Sequence, residues 1–179
     1  MNLGTSSGVG DLLIRKWLRE TPAARLFDFG CGSGRYGDIA RVEAPTMRLY
    51  ACDIWQPAVD FVRSFDKYDG VFLGDLREVV EEEPAQSCDL WVFGDVLEHL
   101  PKGDVRGVWS AANKARRSII AVIPLGEYPQ GALYGNANEM HLWTCELVDI
   151  HTWPLKLHDV CVLQVAPTQL ILHLRAETQ

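Results

Sequence analysis

The sequence predicts a single α/β domain: a doubly wound, seven-stranded, mostly parallel sheet whose last strand is antiparallel. Three observations lead there. From Arg25 onward, five short apolar runs each give way to a helical or turn segment, the pattern of successive β–α units. Two further apolar runs close the chain, joined only by Ala166-Pro167. That joint is too short for a crossover helix, so those two strands must be antiparallel. Finally, Leu26-Phe27-Asp28-Phe29-Gly30-Cys31-Gly32-Ser33-Gly34-Arg35-Tyr36-Gly37 reads as a strand, a glycine loop and a helix start. Glycines let the backbone turn sharply there and touch a ligand, and a helix N-terminus offers that ligand unpaired N–H groups.

The elements follow in order. Asp11–Glu20 carries Leu12, Leu13, Trp17 and Leu18 at helical spacing and stops before Pro22. Arg25–Phe29 is the first strand, and a helix follows over about Arg35–Glu43. Met47–Asp53 is the second strand, and Pro57 suits the first turn of a helix reaching about Phe65. Gly70–Leu73 is a short third strand, and Gly74-Asp75 leads into a helix through about Glu83, ending in an acidic linker at Pro84. Cys88–Phe93 is nearly all apolar, as a central parallel strand should be. One helical turn over Val96–Leu100 precedes Pro101, and Asp104–Ala115 forms the next helix. Arg117–Ile123 is the fifth strand, stopped by Pro124, and a long loop runs over Leu125–Trp143. Thr144 caps a helix to about Ile150, and strands over His158–Val165 and Thr168–Leu174 close the sheet.

Composition narrows the function. At 179 residues the chain fits one domain able to bury a core, and 47% hydrophobic with 23% charged residues is a globular balance. No apolar run approaches the ~20 residues of a membrane span. The stretch Met1–Asp11 is polar and glycine-rich and does not read as a signal peptide. Five scattered cysteines without a CxxC pair suggest a reducing, cytoplasmic setting and give no support for a metal site. A net charge of −7 argues against nucleic acid as a partner. The basic groups Arg15/Lys16/Arg19 and Lys114/Arg116/Arg117 read as solvated helix faces.

The glycine loop can be read in two registers. Gly32-Ser33-Gly34-Arg35-Tyr36-Gly37 matches the dinucleotide fingerprint GxGxxG, whereas Asp28–Gly34 matches DxGxGxG. The second puts the first glycine directly after the strand. Its acidic residue suits a ligand with an ammonium and a sulfonium and would repel a diphosphate. DxGxGxG resembles the first motif of class I S-adenosylmethionine (SAM) dependent methyltransferases, whose Rossmann-like fold the element order matches over essentially the whole chain. Each of the first four strands ends in or beside an aspartate, Asp28, Asp53, Asp75 and Asp95, forming an acidic rim where such sheets bind ligands. The resemblance implies a cofactor site of Asp28, Gly30, Cys31, Gly32, Gly34, Asp53, Ile54, Asp75, Leu76 and Asp95. In it Asp53 accepts the ribose hydroxyls, Asp75 the adenine amine or merely a helix N–H, Asp28 helps place the methionine moiety, and Asp95 lies near the methionine end or the substrate. The N-terminal helical segment, 1–22, either overlies the mouth of the site or simply packs on the sheet.

Phe93-Gly94-Asp95-Val96-Leu97-Glu98-His99-Leu100-Pro101 resembles the DxLEHL segment of small-molecule methyltransferases and departs from the (N/D)PP(Y/F) motif of enzymes that methylate DNA adenine or glutamine. Glu98 and His99 are either catalytic or supports of the pocket. The loop over 124–143 resembles the PxG…Q…GNxxExHxxxW signature of a bacterial and phage group, with Trp143 closer to His141 than that spacing suggests. A loop this long usually covers a site. Glu139 and His141 are two apart, so an extended backbone points both one way, and the carboxylate could fix the imidazole tautomer of a base. Alternatively His141 caps the next helix or bonds Asn138. Tyr128, Tyr134 and Trp143 either close an aromatic lid or pack the loop.

The expected activity is methyl transfer from SAM to oxygen or nitrogen of a small-molecule or sugar-like acceptor, with His141, His99 and Glu139 as the catalytic candidates. A non-catalytic SAM-binding or adaptor protein, or an NAD(P)-dependent oxidoreductase, are the alternatives. The acceptor site of so compact a chain is either open or completed by another subunit, a homodimer being one arrangement.

Overall fold

The computed structural model describes residues 8–133, 135–153, 159–163 and 169–174. Strands β1 (Arg25–Phe29), β2 (Arg48–Asp53), β3 (Gly70–Leu73), β4 (Leu90–Gly94), β5 (Ser118–Pro124), β6 (Asp159–Leu163) and β7 (Gln169–Leu174) form one sheet in the order β3-β2-β1-β4-β5-β7-β6. β1 to β5 pair in parallel, and β7 is antiparallel to both β5 and β6. The seven strands, mostly parallel with the last one inserted antiparallel, are those expected. The link holding Ala166-Pro167 lies outside the described residues. The strand order reverses between β1 and β4, the place where an open α/β sheet forms a ligand crevice.

The two-residue period of the strands sorts the core into two layers. Leu26, Leu49, Ala51, Leu90, Val92, Ile120 and Val122 face α1 (Asp11–Glu20) and α2 (Arg35–Glu43). Phe27, Phe29, Trp91, Phe93, Ile119, Ala121 and Ile123 face the other way, toward α4 (Leu76–Val79), α5 (Lys102–Ala115) and α6 (Leu147–Ile150). Phe29 stacks on Phe93 at 4.8 Å, and Phe93 meets Trp109 of α5 edge-on at 5.6 Å. Each such side chain contributes about 1.5–3 kcal/mol on burial. α3 (Gln56–Arg63) places Pro57 in its first turn, as predicted, and buries Val62 in the first layer.

α1 packs on the sheet. Ile14, Trp17 and Leu18 are buried while Leu12 is exposed, and the Trp17 ring stacks on His173 of β7 at 4.8 Å. Thr21 Oγ1 lies 3.0 Å from His173 Nε2, tying the end of α1 to the sheet.

Several boundaries differ from the sequence reading, among them the start of α5, which lies at Lys102 and not Asp104. α4 ends at Val79, well short of Glu83, and a 3-10 turn over Ala85–Ser87 follows Pro84. β4 starts two residues late, at Leu90, because the Asp89 carboxylate is engaged by the Ala24 and Arg25 N–H groups. β5 continues through Pro124, which pairs with Gln169; a proline is tolerated at a strand end, where its missing N–H is not needed. Thr144 caps nothing. Cys145 bridges Leu125 and its carbonyl accepts the Gly126 N–H at 2.9 Å, which keeps that stretch extended. α6 therefore begins at Leu147, with Glu146 and Asp149 forming a capping box.

Candidate active site

The glycine loop leaves β1 directly after Phe29, so Gly30 is the first loop residue. Gly30, Gly32 and Gly34 have φ of 69°, 49° and 82°, the left-handed region other residues avoid. At Gly30 space is also closed: an added Cβ would lie 2.3 Å from Val96 Cγ2. The loop is tied to β2 by the Gly30 and Cys31 N–H groups, which donate to the Cys52 carbonyl at 2.9 and 3.0 Å. Asp53, ending β2, accepts the Gly32 N–H on Oδ2 and the Trp55 N–H on Oδ1, both at 2.9 Å. A carboxylate has about four lone-pair sites, so these bonds leave acceptor capacity for a ligand. Burial raises the Asp53 carboxyl above its ordinary range, partly offset by those N–H groups.

Asp28 stands apart. Its position in β1 turns it into the layer beneath the loop, where it is fully buried and accepts the Tyr68 hydroxyl at 2.5 Å. The same hydroxyl accepts the Gly37 N–H at 3.0 Å. Burial pushes the Asp28 carboxyl up to about 7, against the lowering effect of the Tyr68 bond. Asp75 caps α4 through the Arg77 N–H and is also gripped by the Arg77 side chain, which reaches on to Asp104. The Arg77 guanidinium holds its carboxyl below the usual range.

Beyond the strand ends lies a cleft of about 650 Å³. Gly30, Cys31, Gly32, Asp53, Ile54, Asp75 and Leu76 line one side, and Asp95, His99, Glu139 and His141 line the other. Of the residues expected there, Asp28 and Gly34 do not line it. The N-terminal helix contributes nothing to the lining either.

The expected pairing of Glu139 with His141 is not what the loop builds. Glu139 accepts from Asn136 Nδ2 at 3.3 Å, and its backbone carbonyl accepts from Gln130. His141 Nδ1 instead meets the Tyr128 carbonyl at 2.6 Å, and the carboxylate nearest its Nε2 is Glu98, at 3.9 Å. Nor does His141 cap a helix or bond Asn138, whose N–H and side chain go to Asn136. His99, on a 3-10 turn over Leu97–His99, has Nδ1 3.1 Å from the Met140 carbonyl. Burial lowers both imidazoles below their ordinary range. Tyr128 lines the cleft, while Trp143 donates to the Leu97 carbonyl at 3.0 Å and packs on the core; Tyr134 lies outside the described residues.

Two polar cleft residues, Arg77 and Gln169, carried no signal in the sequence. Gln169 is 1% exposed and reaches the site because β7 pairs with the end of β5, a register invisible locally. Glu98 was legible only as half of a Glu-His pair; the fold buries it to 2% exposure.

Residues 27–118 match the family model described as a methyltransferase domain. The chain belongs to this family. Its members of class I use SAM as methyl donor, and the match favours the DxGxGxG register over the dinucleotide one. No characterised protein gives a significant sequence match. The methyltransferase domain resembles several solved structures in fold. One is a Burkholderia thailandensis 1,6-didemethyltoxoflavin-N1-methyltransferase with bound 1,6-didemethyltoxoflavin and S-adenosylhomocysteine (14% identity, TM-score 0.66, 95% of this chain and 79% of that one). Another is human N-acetylserotonin methyltransferase in complex with SAM (14%, 0.62, 94% and 52%). The domain thus spans about half the length of that relative. A third, from Rhodobacter sphaeroides, is named for Zn-dependent alcohol dehydrogenases (10%, 0.71, 98% and 92%), so fold likeness by itself does not separate these activities. Among the described residues, no helix is long and apolar enough to cross a membrane.

The residues present fit the SAM cofactor. Gly30 has no room for a side chain and brings bare backbone to the cleft, and the Asp53 carboxylate lines the same cleft.

Proposed function

We propose that this domain transfers the methyl group of SAM to oxygen or nitrogen of a small-molecule or sugar-like acceptor. The observation that carries the reading is a cleft with two unlike halves: a glycine loop with Asp53 on one side, an imidazole and carboxylate group on the other. In this reading Asp53 accepts the ribose hydroxyls with its remaining acceptor capacity. Asp75 and the Leu76 N–H take the adenine edge, Ile54 covers the ring, and Asp95 faces the methionine end. Gly30, Cys31 and Gly32 present backbone to the ligand, and Asp28 acts from beneath by fixing the loop through Tyr68. SAM, when bound, supplies an electrophilic methyl on a sulfonium.

His141 is the candidate base. A carbonyl accepts only, so the Tyr128 contact leaves the proton on Nδ1 and a lone pair on Nε2 of the neutral ring. That nitrogen can take the proton of an acceptor hydroxyl or amine. His99 lies beside it, with Nδ1 against the Met140 carbonyl, and Glu139 shapes the wall they share. Alignment of nucleophile and methyl in a dry cleft supplies much of the remaining rate. The acidic net charge speaks against nucleic-acid substrates, and the free thiols of Cys31, Cys52, Cys88 and Cys145 suit a cytoplasmic protein. A second copy in a homodimer would complete an acceptor site left open here.

Calorimetric titration with S-adenosylhomocysteine, NAD and NADP tests the cofactor. The expected result is binding of S-adenosylhomocysteine alone, weakened roughly tenfold or more in Asp53→Ala as its charge-assisted hydrogen bonds are lost. Binding of NAD, or unchanged affinity in the variant, would overturn the reading. An acceptor screen with methyl transfer as readout then separates an enzyme from a SAM-binding adaptor.

A further inference from the structure

Glu98, His99 and His141 meet where the turn after β4 touches the loop after β5. One ligand-type atom from each lies within 4.8 Å of the others. Glu98 is 2% exposed, and neither of its carboxylate oxygens has a hydrogen-bond partner among the described residues. The Nδ1 atoms of His99 and His141 lie 3.1 and 2.6 Å from the Met140 and Tyr128 carbonyls. Carbonyls cannot donate, so the Tyr128 contact leaves the neutral His141 ring with the proton on Nδ1 and a lone pair on Nε2. His141 Nε2 lies 3.9 Å from Glu98 Oε1, and the two imidazole rings stand 5.0 Å apart. One nitrogen of each imidazole and a carboxylate without a hydrogen-bond partner among the described residues therefore converge.

Leaving such a carboxylate buried without a partner is costly. A proton would relieve one oxygen; a cation satisfies all three side chains together. Histidines that ligate metals are held in this way, with the other ring N–H donated to a backbone carbonyl.

We infer that Glu98, His99 and His141 form a binding site for one divalent transition-metal ion. Two imidazole nitrogens and one carboxylate oxygen suit Zn²⁺, Fe²⁺, Co²⁺ or Ni²⁺ rather than Mg²⁺ or Ca²⁺. Tetrahedral bonds of about 2.0–2.1 Å put neighbouring ligands about 3.4 Å apart, so the three side chains draw together by about 1 Å around the ion. The site uses no cysteine, which is why cysteine spacing gave no sign of it. All three residues line the cleft on the side away from the glycine loop. The remaining coordination positions face the space where an acceptor would lie, and an acceptor oxygen is the ligand they fit. That last step rests on the methyltransferase reading; metal binding itself does not.

The test is a Co²⁺ titration of chelator-treated protein, followed by visible d–d absorption, with S-adenosylhomocysteine binding measured in parallel by calorimetry. The expected result is a saturable one-to-one band displaced by Zn²⁺. It should weaken roughly tenfold or more in Glu98→Gln and in His141→Ala, while S-adenosylhomocysteine affinity stays within about threefold of wild type in both. Glu98→Gln keeps the shape of the buried side chain, and His141→Ala alters only the loop, so one reports if the other misfolds. No saturable band, or a band that survives both substitutions, overturns the site whatever the cofactor experiment gives.

Discussion

The two halves of the cleft treat their polar groups in opposite ways. On the β1–β3 side the carboxylates are already engaged: Asp53 holds two loop N–H groups, Asp75 holds Arg77, and Asp28 holds Tyr68 from beneath. On the β4–β5 side Glu98 is more deeply buried than Asp53 and yet has no hydrogen-bond partner among the described residues. Pairing before the ligand arrives fixes shape and reduces what must be ordered on binding. Leaving acceptors unpaired does the reverse: the ligand itself must supply the missing donor or cation. One half is preorganised and the other waits for its ligand.

The largest expected effect tests how the preorganised half is held from below. Burial lifts the Asp28 carboxyl from its ordinary 3.8 to about 7. Between those values the folded state binds more protons than the unfolded state, so stability falls as pH rises. The contribution is full below about 4 and lost as pH passes through about 7, a swing of about 4 kcal/mol at most. Urea unfolding of wild type and Asp28→Asn across this window measures it. The variant should show a flatter pH profile, although buried Glu98, whose carboxyl is also raised, leaves a residual slope of the same sign. Identical slopes would mean that Asp28 is not the source.

Next in size is a contact that joins the halves. Gly30→Ala forces an alanine to a φ of 69° and drives its methyl into Val96, a residue of the opposite side. Left-handed strain and overpacking together destabilise by about 2–4 kcal/mol. Adding Val96→Ala should restore the steric part but not the backbone part. Should the double variant be no more stable than Gly30→Ala, the clash with Val96 is not what excludes a side chain there.

What the sequence revealed follows the same division. The glycine loop, its strand and Asp53 are contiguous or lie one β–α unit apart, so spacing alone carried them. Pairing across the second half joins residues about forty positions apart, as with Glu98 and His141 or His99 and Met140. Local reasoning there linked His141 to Glu139, its neighbour in sequence, whereas the fold turned Glu139 to Asn136 and brought in Glu98. Strand alternation was readable for the core, but its consequence for Asp28 was not drawn: position 28 shares the face of Leu26, not the cleft. The misplaced start of α6 has a similar origin, since the Leu125–Cys145 bridge that delays it is a tertiary contact.

The smallest effect decides what Asp75 does. Arg77 is 44% exposed on its side chain and its partner Asp104 40%, so solvent screens the cluster and Arg77→Ala should change stability by under about 1 kcal/mol. The backbone N–H at position 77 still caps α4 in that variant, while the guanidinium no longer occupies the Asp75 carboxylate. If Asp75 also serves the adenine amine, removing its competitor should tighten S-adenosylhomocysteine binding by roughly twofold to threefold, and Asp75→Asn should loosen it by a similar factor, the scale of a partly screened charge-assisted hydrogen bond. Calorimetry on the two variants reads both directions. Equal affinities in wild type and both variants would leave Asp75 as a helix cap alone, and the adenine edge would then rest on backbone groups of the 74–76 turn.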